Sequence, residues 1–308
     1  MHTDCIKCFL EQANKLLNKY NIPDDIARNI IIRFRLFIDD HKNITAPEAS
    51  CFMHRLIKKA TQIEDPYKKE KKDYNELLLS LENDIRDIIK KSDDPFQTAL
   101  RYALAGNIID FGPPKQFDVV KALSEAINKI PAIDHTLELK NDLKKANSIL
   151  YLGDNAGEIV MDKLFIETIR HSNLYFAVRG SNIINDITME DAEKTGITKI
   201  AKVISNGYDA PSTILNRCSP EFIKVYKDAD VIISKGQGNL EGLIDVTDKN
   251  IFFLLMVKCN VIAEMIGVQE KNVVVLSNHK IMPLEPVHIE NHKRNSLKEK
   301  EAKHNIKG

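Results

Sequence analysis

The stretch Ile149-Leu150-Tyr151-Leu152-Gly153-Asp154-Asn155-Ala156-Gly157-Glu158 decides how this chain folds. Four apolar residues stop at a glycine, two hydrogen-bonding side chains and a second glycine. A helix-length run then continues through Ile169. A continuous apolar strand, a polar turn and a helix form the repeating unit of a parallel sheet covered on both faces. Further short apolar runs follow at 174–178, 200–204, 231–233, 251–256 and 273–276, with helix-length stretches between most of them. The expected fold is therefore α/β, a Rossmann-like doubly wound and mainly parallel sheet over residues 146–288. Ligands of such sheets bind beyond the carboxyl ends of the strands, near a topological switch point.

Upstream, residues 1–145 read as an all-helical domain. Ala27, Ile30, Ile31, Phe34 and Ile38 recur at the spacing of one helix face, and so do Leu77, Leu78, Leu81, Ile85, Ile88 and Ile89. Pro23, Pro47, Pro66 and Pro95 fall at or near the starts of such segments, where proline is tolerated. Five or more helices are expected there. Residues 289–308 are strongly charged, lack an apolar face and read as a tail.

A chain of 308 residues is long enough for two domains. Lys plus Arg and Asp plus Glu both count 44, so the basic excess of a nucleic-acid binder is absent. No apolar run reaches the roughly 18 residues that span a bilayer. The first residues lack the basic-then-apolar order of a secretory signal. Five scattered cysteines, an odd number, make no disulfide framework and fit a reducing cytoplasm. The sequence leaves monomer or homodimer open.

The residues that end the strands carry the chemistry. The second run ends in Arg179-Gly180-Ser181-Asn182, with Asn185-Asp186 soon after. The third gives Ser205-Asn206-Gly207-Tyr208-Asp209, and the fourth Ser234-Lys235-Gly236-Gln237-Gly238-Asn239. Asp154 and Asp186 offer hard carboxylate oxygens and Asn155 an amide oxygen, the donors that Mg²⁺ and Mn²⁺ prefer. Lys235 offers a charge for phosphate, and Gly236 and Gly238 allow backbone N–H groups to approach it. Each residue has a plainer reading: Asp154 as a helix cap, Lys235 as a surface lysine, Glu158 as a carboxylate favoured by a helix dipole, Arg179 as an ion-pair partner. The Walker-type phosphate loop is absent, and Ala156 stands where aspartyl-phosphate enzymes carry their second Asp, which favours attack by water.

In this order the motifs resemble the metal-dependent damage-control phosphatases, once a domain family of unknown function. The likeness runs over nearly the whole chain. It takes in Cys5-Ile6-Lys7-Cys8, Asp65-Pro66-Tyr67, the segment Ala105-Gly106-Asn107-Ile108-Ile109-Asp110-Phe111-Gly112, and the strand-end motifs above. The early Cys-x-x-Cys resembles the archaeal and bacterial branch. The resemblance implies a helical domain packed on a Rossmann-like one, and hydrolysis of phosphate monoesters such as sugar phosphates or damaged phospho-metabolites. It implies one divalent cation (Mn, Co, Ni or Mg) on Asp154, Asn155 and Asp186, with Asp191 as the alternative third ligand. It places Asp154, Asn155 and Lys235 in the catalytic centre. Asn107, Asp110, Glu158, Arg179, Ser205, Asn206, Lys235, Gly236, Gly238 and Asn239 are then expected around the substrate. Expected partners are a small phosphorylated metabolite, with no nucleic acid and no membrane.

Two other functions compete. The segment Leu152–Glu158 faintly resembles an adenosylmethionine loop, although Arg179 stands where such an enzyme has an acid. A non-catalytic phosphosugar-binding regulator is the other. Cys5 and Cys8, three apart, form half of a zinc site that Cys51 and His54 would complete, or else are inert thiols.

Overall fold

Capping chemistry sets several of the helix starts. Thr45 and Glu48 form a reciprocal capping box with Pro47 just inside the helix, and Asp94 caps a helix that opens on Pro95. The computed structural model describes residues 1–107 and 116–280. Its first part is helical: α1 (Thr3–Lys19), α2 (Asp24–Asp40), α3 (Ala46–Thr61), α4 (Lys68–Lys91), α5 (Pro95–Gly106) and α6 (Gln116–Ala126). A two-residue strand β1 (Ile133–Asp134) and α7 (Thr136–Lys145) follow. Strands and helices then alternate as β2 (Ile149–Leu152), α8 (Glu158–Ile169), β3 (Leu174–Val178), α9 (Met189–Thr195) and β4 (Lys202–Ser205). The series ends with α10 (Pro220–Asp228), β5 (Val231–Lys235), α11 (Gly236–Leu243), β6 (Ile251–Met256), α12 (Asn260–Ile266) and β7 (Val273–Ser277).

The strands form one sheet in the order β1-β7-β6-β5-β2-β3-β4. Every pairing is parallel except β6 with β7. From β2 the chain steps outward to β3 and β4 on one side, then returns to place β5 on the other. The β2–β5 boundary is thus a topological switch point, the place where ligands of such sheets bind.

The sheet is buried on both faces. Ile149, Tyr151, Phe176, Val178 and Ile233 share one core with α4, α5 and α8. Leu150, Leu152, Ile232 and Phe253 share the other with α10, α11 and α12. A separate small core, around Leu16, Leu17, Phe34, Met53 and Ile57, holds α1, α2 and α3 together. The α/β class and mainly parallel sheet expected from the apolar runs are what the structure has.

Three local features differ from the expectation. β1 was not among the expected runs, because two residues carry no period. It pairs beside β7 through Ile133 and Asp134. β4 runs from Lys202 to Ser205 rather than over 200–204, because a 3₁₀ turn at Ile197–Lys199 delivers the chain to the sheet later. As an edge strand it also tolerates a polar start, with Lys202 lying over the Tyr175 ring. β7 is antiparallel, joined to β6 only by the short α12.

Candidate active site

The loop after β3 folds back along the loop after β2. Gly153 N–H donates to Ala177 O at 3.0 Å, Ile187 N–H to Asp154 O at 2.9 Å, and Ala156 N–H to Asn185 O at 3.0 Å. Asn155 and Asp186 form an antiparallel bridge. This strand-like pairing sets Asp186 beside Asp154 and Asn155. Asp191 is directed elsewhere: its carboxylate caps α9 through Thr188 N–H and pairs with Lys71 at 2.8 Å. The expected alternative third ligand is therefore a capping residue.

The loop after β5 closes the other side. Gly236 adopts φ +76°, and a Cβ there would lie 1.9 Å from Asp154 Oδ2. Only glycine combines that backbone with that approach. Asp154 and the Lys235–Gly236 turn thus share one edge of the sheet.

The side chains form one dense network. Arg179 Nε donates to Asp186 Oδ2 at 2.7 Å, its Nη1 to Asn239 Oδ1 at 3.0 Å, and its Nη2 reaches Asp154 Oδ1 at 3.5 Å. Asn155 Nδ2 donates to Asp154 Oδ2 at 2.6 Å and to Glu158 Oε2 at 3.1 Å, while its Oδ1 accepts from Asn185. Asn107, the last described residue of its segment, donates through Nδ2 to Glu158 and to Asp154, and its Oδ1 accepts from Met256 N–H. The segment carrying Asp110 lies outside the described residues.

Lys235 differs from its expected position. It is fully buried, and its ammonium donates to Asp162 Oδ1 at 2.5 Å and Ala103 O at 2.9 Å and pairs with Glu158 Oε1 at 2.6 Å. Three donors meet three protein acceptors, so none is left to grip a phosphate. The backbone of β5 points this side chain into the layer under α5 and α8 rather than toward the switch point.

The other expected substrate residues divide in two. Asn239 is buried and bonded to Gly153 O, Lys235 O, Thr213 and Arg179. Asn206 Oδ1 accepts from the backbones of Gly180 and Tyr208, whereas its buried Nδ2 has no partner. Ser205 Oγ accepts from Gly207 N–H. Gly238 packs against Pro211 O so closely that a Cβ would lie 2.0 Å away. Sequence reading missed Asp162, Asn185 and Tyr151. Asp162 carried one usable signal, a charge directly after the apolar run Ile159-Val160-Met161 of α8, where it accepts from Tyr151 Oη at 2.7 Å.

Burial dominates the electrostatics, with neighbouring acids adding to it. Asp154 is pushed up to about 8, first by burial and then by Asp186 and Glu158, with Arg179 opposing. Asp162 is pushed up to about 7 by burial, although Lys235 opposes it. Burial also raises Asp186 against the pull of Arg179. Burial works against the charge of Lys235, but Asp162 and Glu158 outweigh it and hold the amine above its ordinary value.

The thiols do not form the expected zinc set. Cys51 Sγ lies 3.4 Å from Asp209 Oδ1, and His54 is buried near Tyr67. Cys5 and Cys8 instead lie in the neighbourhood of Cys259, and burial pushes both thiols up. Among the described residues no three His, Cys, Asp or Glu side chains are arranged to hold an ion. No described helix is long and apolar enough to cross a membrane.

A family model, the damage-control phosphatase ARMT1-like domain, matches residues 1–274. The chain belongs to this family. A damage-control phosphatase of Pyrococcus horikoshii is 32% identical over 284 residues, covering 89% of this chain and 97% of that protein. A damage-control phosphatase of Archaeoglobus fulgidus is 34% identical over 224 residues, 70% of this chain and 77% of its own length. An uncharacterised protein of Methanocaldococcus jannaschii is 39% identical over 286 residues, 89% and 94% of the two chains. The crystal structure of a DUF89 family protein from Pyrococcus horikoshii superposes with a TM-score of 0.82 at 32% identity, over 90% of this chain and 99% of that one. The switch-point cluster described above therefore belongs to a damage-control phosphatase fold.

Proposed function

We propose that the protein is a divalent-metal-dependent phosphatase that hydrolyses phosphate monoesters of small metabolites, sugar phosphates or damaged phospho-metabolites, by attack of water. One observation carries this reading. Four buried carboxylates, Asp154, Glu158, Asp162 and Asp186, share one hydrogen-bonded cluster with, among the described residues, only two cations inside it, Arg179 and Lys235, while Lys258 and Lys71 act on Asp154 and Asp186 from outside. Asp154 is raised to about 8 first by burial and then by Asp186 and Glu158, so this cluster holds its negative charge at a cost. Burying unpaired charge is costly, and one divalent cation would offset it.

The donor set fits such an ion. Arg179 joins the carboxylates of Asp154 and Asp186, and Asn155 lies beside Asp154 with its Oδ1 on Asn185, so its amide would turn over to offer that oxygen to an ion; hard oxygens suit Mg²⁺ or Mn²⁺. When bound, the cation would polarise a phosphoryl oxygen and acidify water. Arg179, beside both acids, orients them and offsets charge on the phosphoryl oxygens. Glu158, paired with Lys235, holds the amides of Asn107 and Asn155 beside Asp154 and so orients the metal-facing side of the cluster. Gly236 lets the start of α11 pack directly against the Asp154 carboxylate, which brings the helix N-terminus beside that acid. Lys235 supports the cluster by holding Glu158. The names of the Pyrococcus and Archaeoglobus relatives agree with the reading.

The test is a screen of phosphorylated metabolites with Mg²⁺, Mn²⁺, Co²⁺ and Ni²⁺, reading released phosphate. Cation-dependent turnover lost in Asp154→Ala is expected. Turnover unchanged by chelator or by Asp154→Ala would sink the proposal, and methyl transfer without any cation would favour the adenosylmethionine reading.

A further inference from the structure

The two loops that hold the expected ligands do not touch α4 by accident of packing. One buried side chain on that helix bonds to the first loop directly and to the second through Asp191 of α9. Gly157 N–H, closing the loop of Asp154 and Asn155, donates to Asn75 Oδ1 at 2.7 Å. Asn75 Nδ2 donates to Asp191 Oδ1 at 3.0 Å. Asp191 in turn caps the far end of the loop of Asp186 through Thr188 N–H and Oγ1, at 2.9 and 3.0 Å. The amide orientation is forced, because a backbone N–H only donates and a carboxylate only accepts.

Lys71, one turn before Asn75, fastens the same loop. Its ammonium is 2.8 Å from Asp191, 3.6 Å from Asp65, and donates to Asn182 Oδ1 at 3.2 Å. Both side chains are almost wholly buried, at 3% exposure for Lys71 and 4% for Asn75. Gly157 sits at φ +78° against Tyr74, where a Cβ would approach Tyr74 Cβ to 3.1 Å. The helix is thus fitted closely to the turn that ends the first loop.

We propose that Asn75 is a positioning residue that sets the spacing between Asp154 and Asp186, and so the cation affinity of the site, without touching cation or substrate. The physical reason is geometric. Cation donors tolerate little displacement, and the residues that orient them set affinity almost as strongly as the donors do. A single amide shared between two ligand loops ties one to the other. Helix α4, from the helical part of the chain, then measures the gap between two acids on the sheet.

The proposal rests on the cation reading above, and the experiment separates the two. Asn75→Asp keeps the acceptor for Gly157 but turns a carboxylate oxygen toward Asp191. Adding Asp191→Asn reverses the polarity of that bond and restores the total charge. Mn²⁺ affinity is measured by titration calorimetry on cation-free full-length protein, with thermal unfolding followed alongside. Asn75→Asp is expected to weaken Mn²⁺ binding by about 10- to 100-fold, and the double variant to return to within about threefold of the parent. A merely structural role would lower the melting temperature and leave the affinity of folded protein unchanged. Parent-like affinity in folded Asn75→Asp, or a double variant as weak as the single one, overturns the proposal. Should Asn75→Asp fail to fold, Asn75→Ser is judged by the same affinity criterion. A parent protein that binds no Mn²⁺ defeats the cation reading itself, whereas a parent and Asn75→Asp that bind equally defeat only the role of Asn75.

Discussion

Replacing Lys235 by Met removes the one cation shared by two buried acids. Its ammonium lies 2.5 Å from Asp162 and 2.6 Å from Glu158, and all three side chains are sealed from solvent. With the charge centres taken about 4 Å apart and an effective dielectric constant of about 20, each pair is worth about 4 kcal/mol, or roughly 8 for both. The ammonium no longer has to be desolvated in the variant, which returns several kcal/mol, so the net loss is about 3–5 kcal/mol. For a chain of this size that lowers the melting temperature by on the order of 10 °C.

The loss carries a pH signature. Asp162 is already raised from 3.8 to about 7, and Lys235 is what holds it down against burial. Without Lys235 it rises further. Between the unfolded value and the folded one, the folded state binds the extra proton, so stability increases as pH falls. The deficit of Lys235→Met relative to the parent is therefore largest in alkali. It shrinks by about 1.4 kcal/mol for each pH unit down to about 7. Below that the parent's own Asp162 takes up its proton and the deficit levels off. Urea unfolding followed by circular dichroism at pH 9, 8, 7 and 6 measures it. A loss under about 1 kcal/mol at pH 8, or a deficit that grows as pH falls, refutes the buried strut.

Asp154→Asn acts in the opposite sense on the cation-free protein. Asp154 is raised from 3.8 to about 8, first by burial, so ionising it costs the folded state stability as pH rises through that window. The variant should be more stable than the parent at pH 8, by roughly 2–5 kcal/mol, with the difference vanishing near pH 4 in the same unfolding assay. Gly236→Ala puts a methyl group 1.9 Å from Asp154 Oδ2 at φ +76°, so it should cost about 1–3 kcal/mol and at least about 100-fold in phosphate release. Arg55→Ala breaks the pair with Asp209 that joins α3 to the loop after β4. Because Arg55 is half exposed, the unfolding free energy should drop by under about 1 kcal/mol.

The sheet was legible because its strands are buried on both faces, and a buried strand is mostly apolar, with polar residues such as Ser234 and Lys235 confined to its end. Ile149–Leu152 and Ile251–Met256 show this, and their bounds agree with the sequence runs. β1 was illegible because two residues at an edge need no pattern. In the candidate site, adjacency was readable and direction was not. Sequence order puts Lys235 and Gly236 at a strand tip, but whether a strand-end lysine faces the switch point or the layer beneath depends on the pleat. Here the pleat sends it to Asp162, a residue hidden in an apolar helix. The different surroundings of Asp186 and Asp191 also needed coordinates, since only the fold-back pairing of the two loops sets Asp186 beside Asp154 while Asp191 caps a helix. Asn75 and Lys71 gave no signal at all, because a polar residue on an amphipathic helix reads as solvated until something polar is seen to cover it.

The central claim is one cation held between Asp154, Asn155 and Asp186, and diffraction from crystals grown with Mn²⁺ tests it most directly. The expected result is a single anomalous peak about 2.0–2.3 Å from oxygens of those three side chains, with Arg179 still bound to Asp186. A map with no peak there, or with the ion bound only elsewhere, contradicts the account.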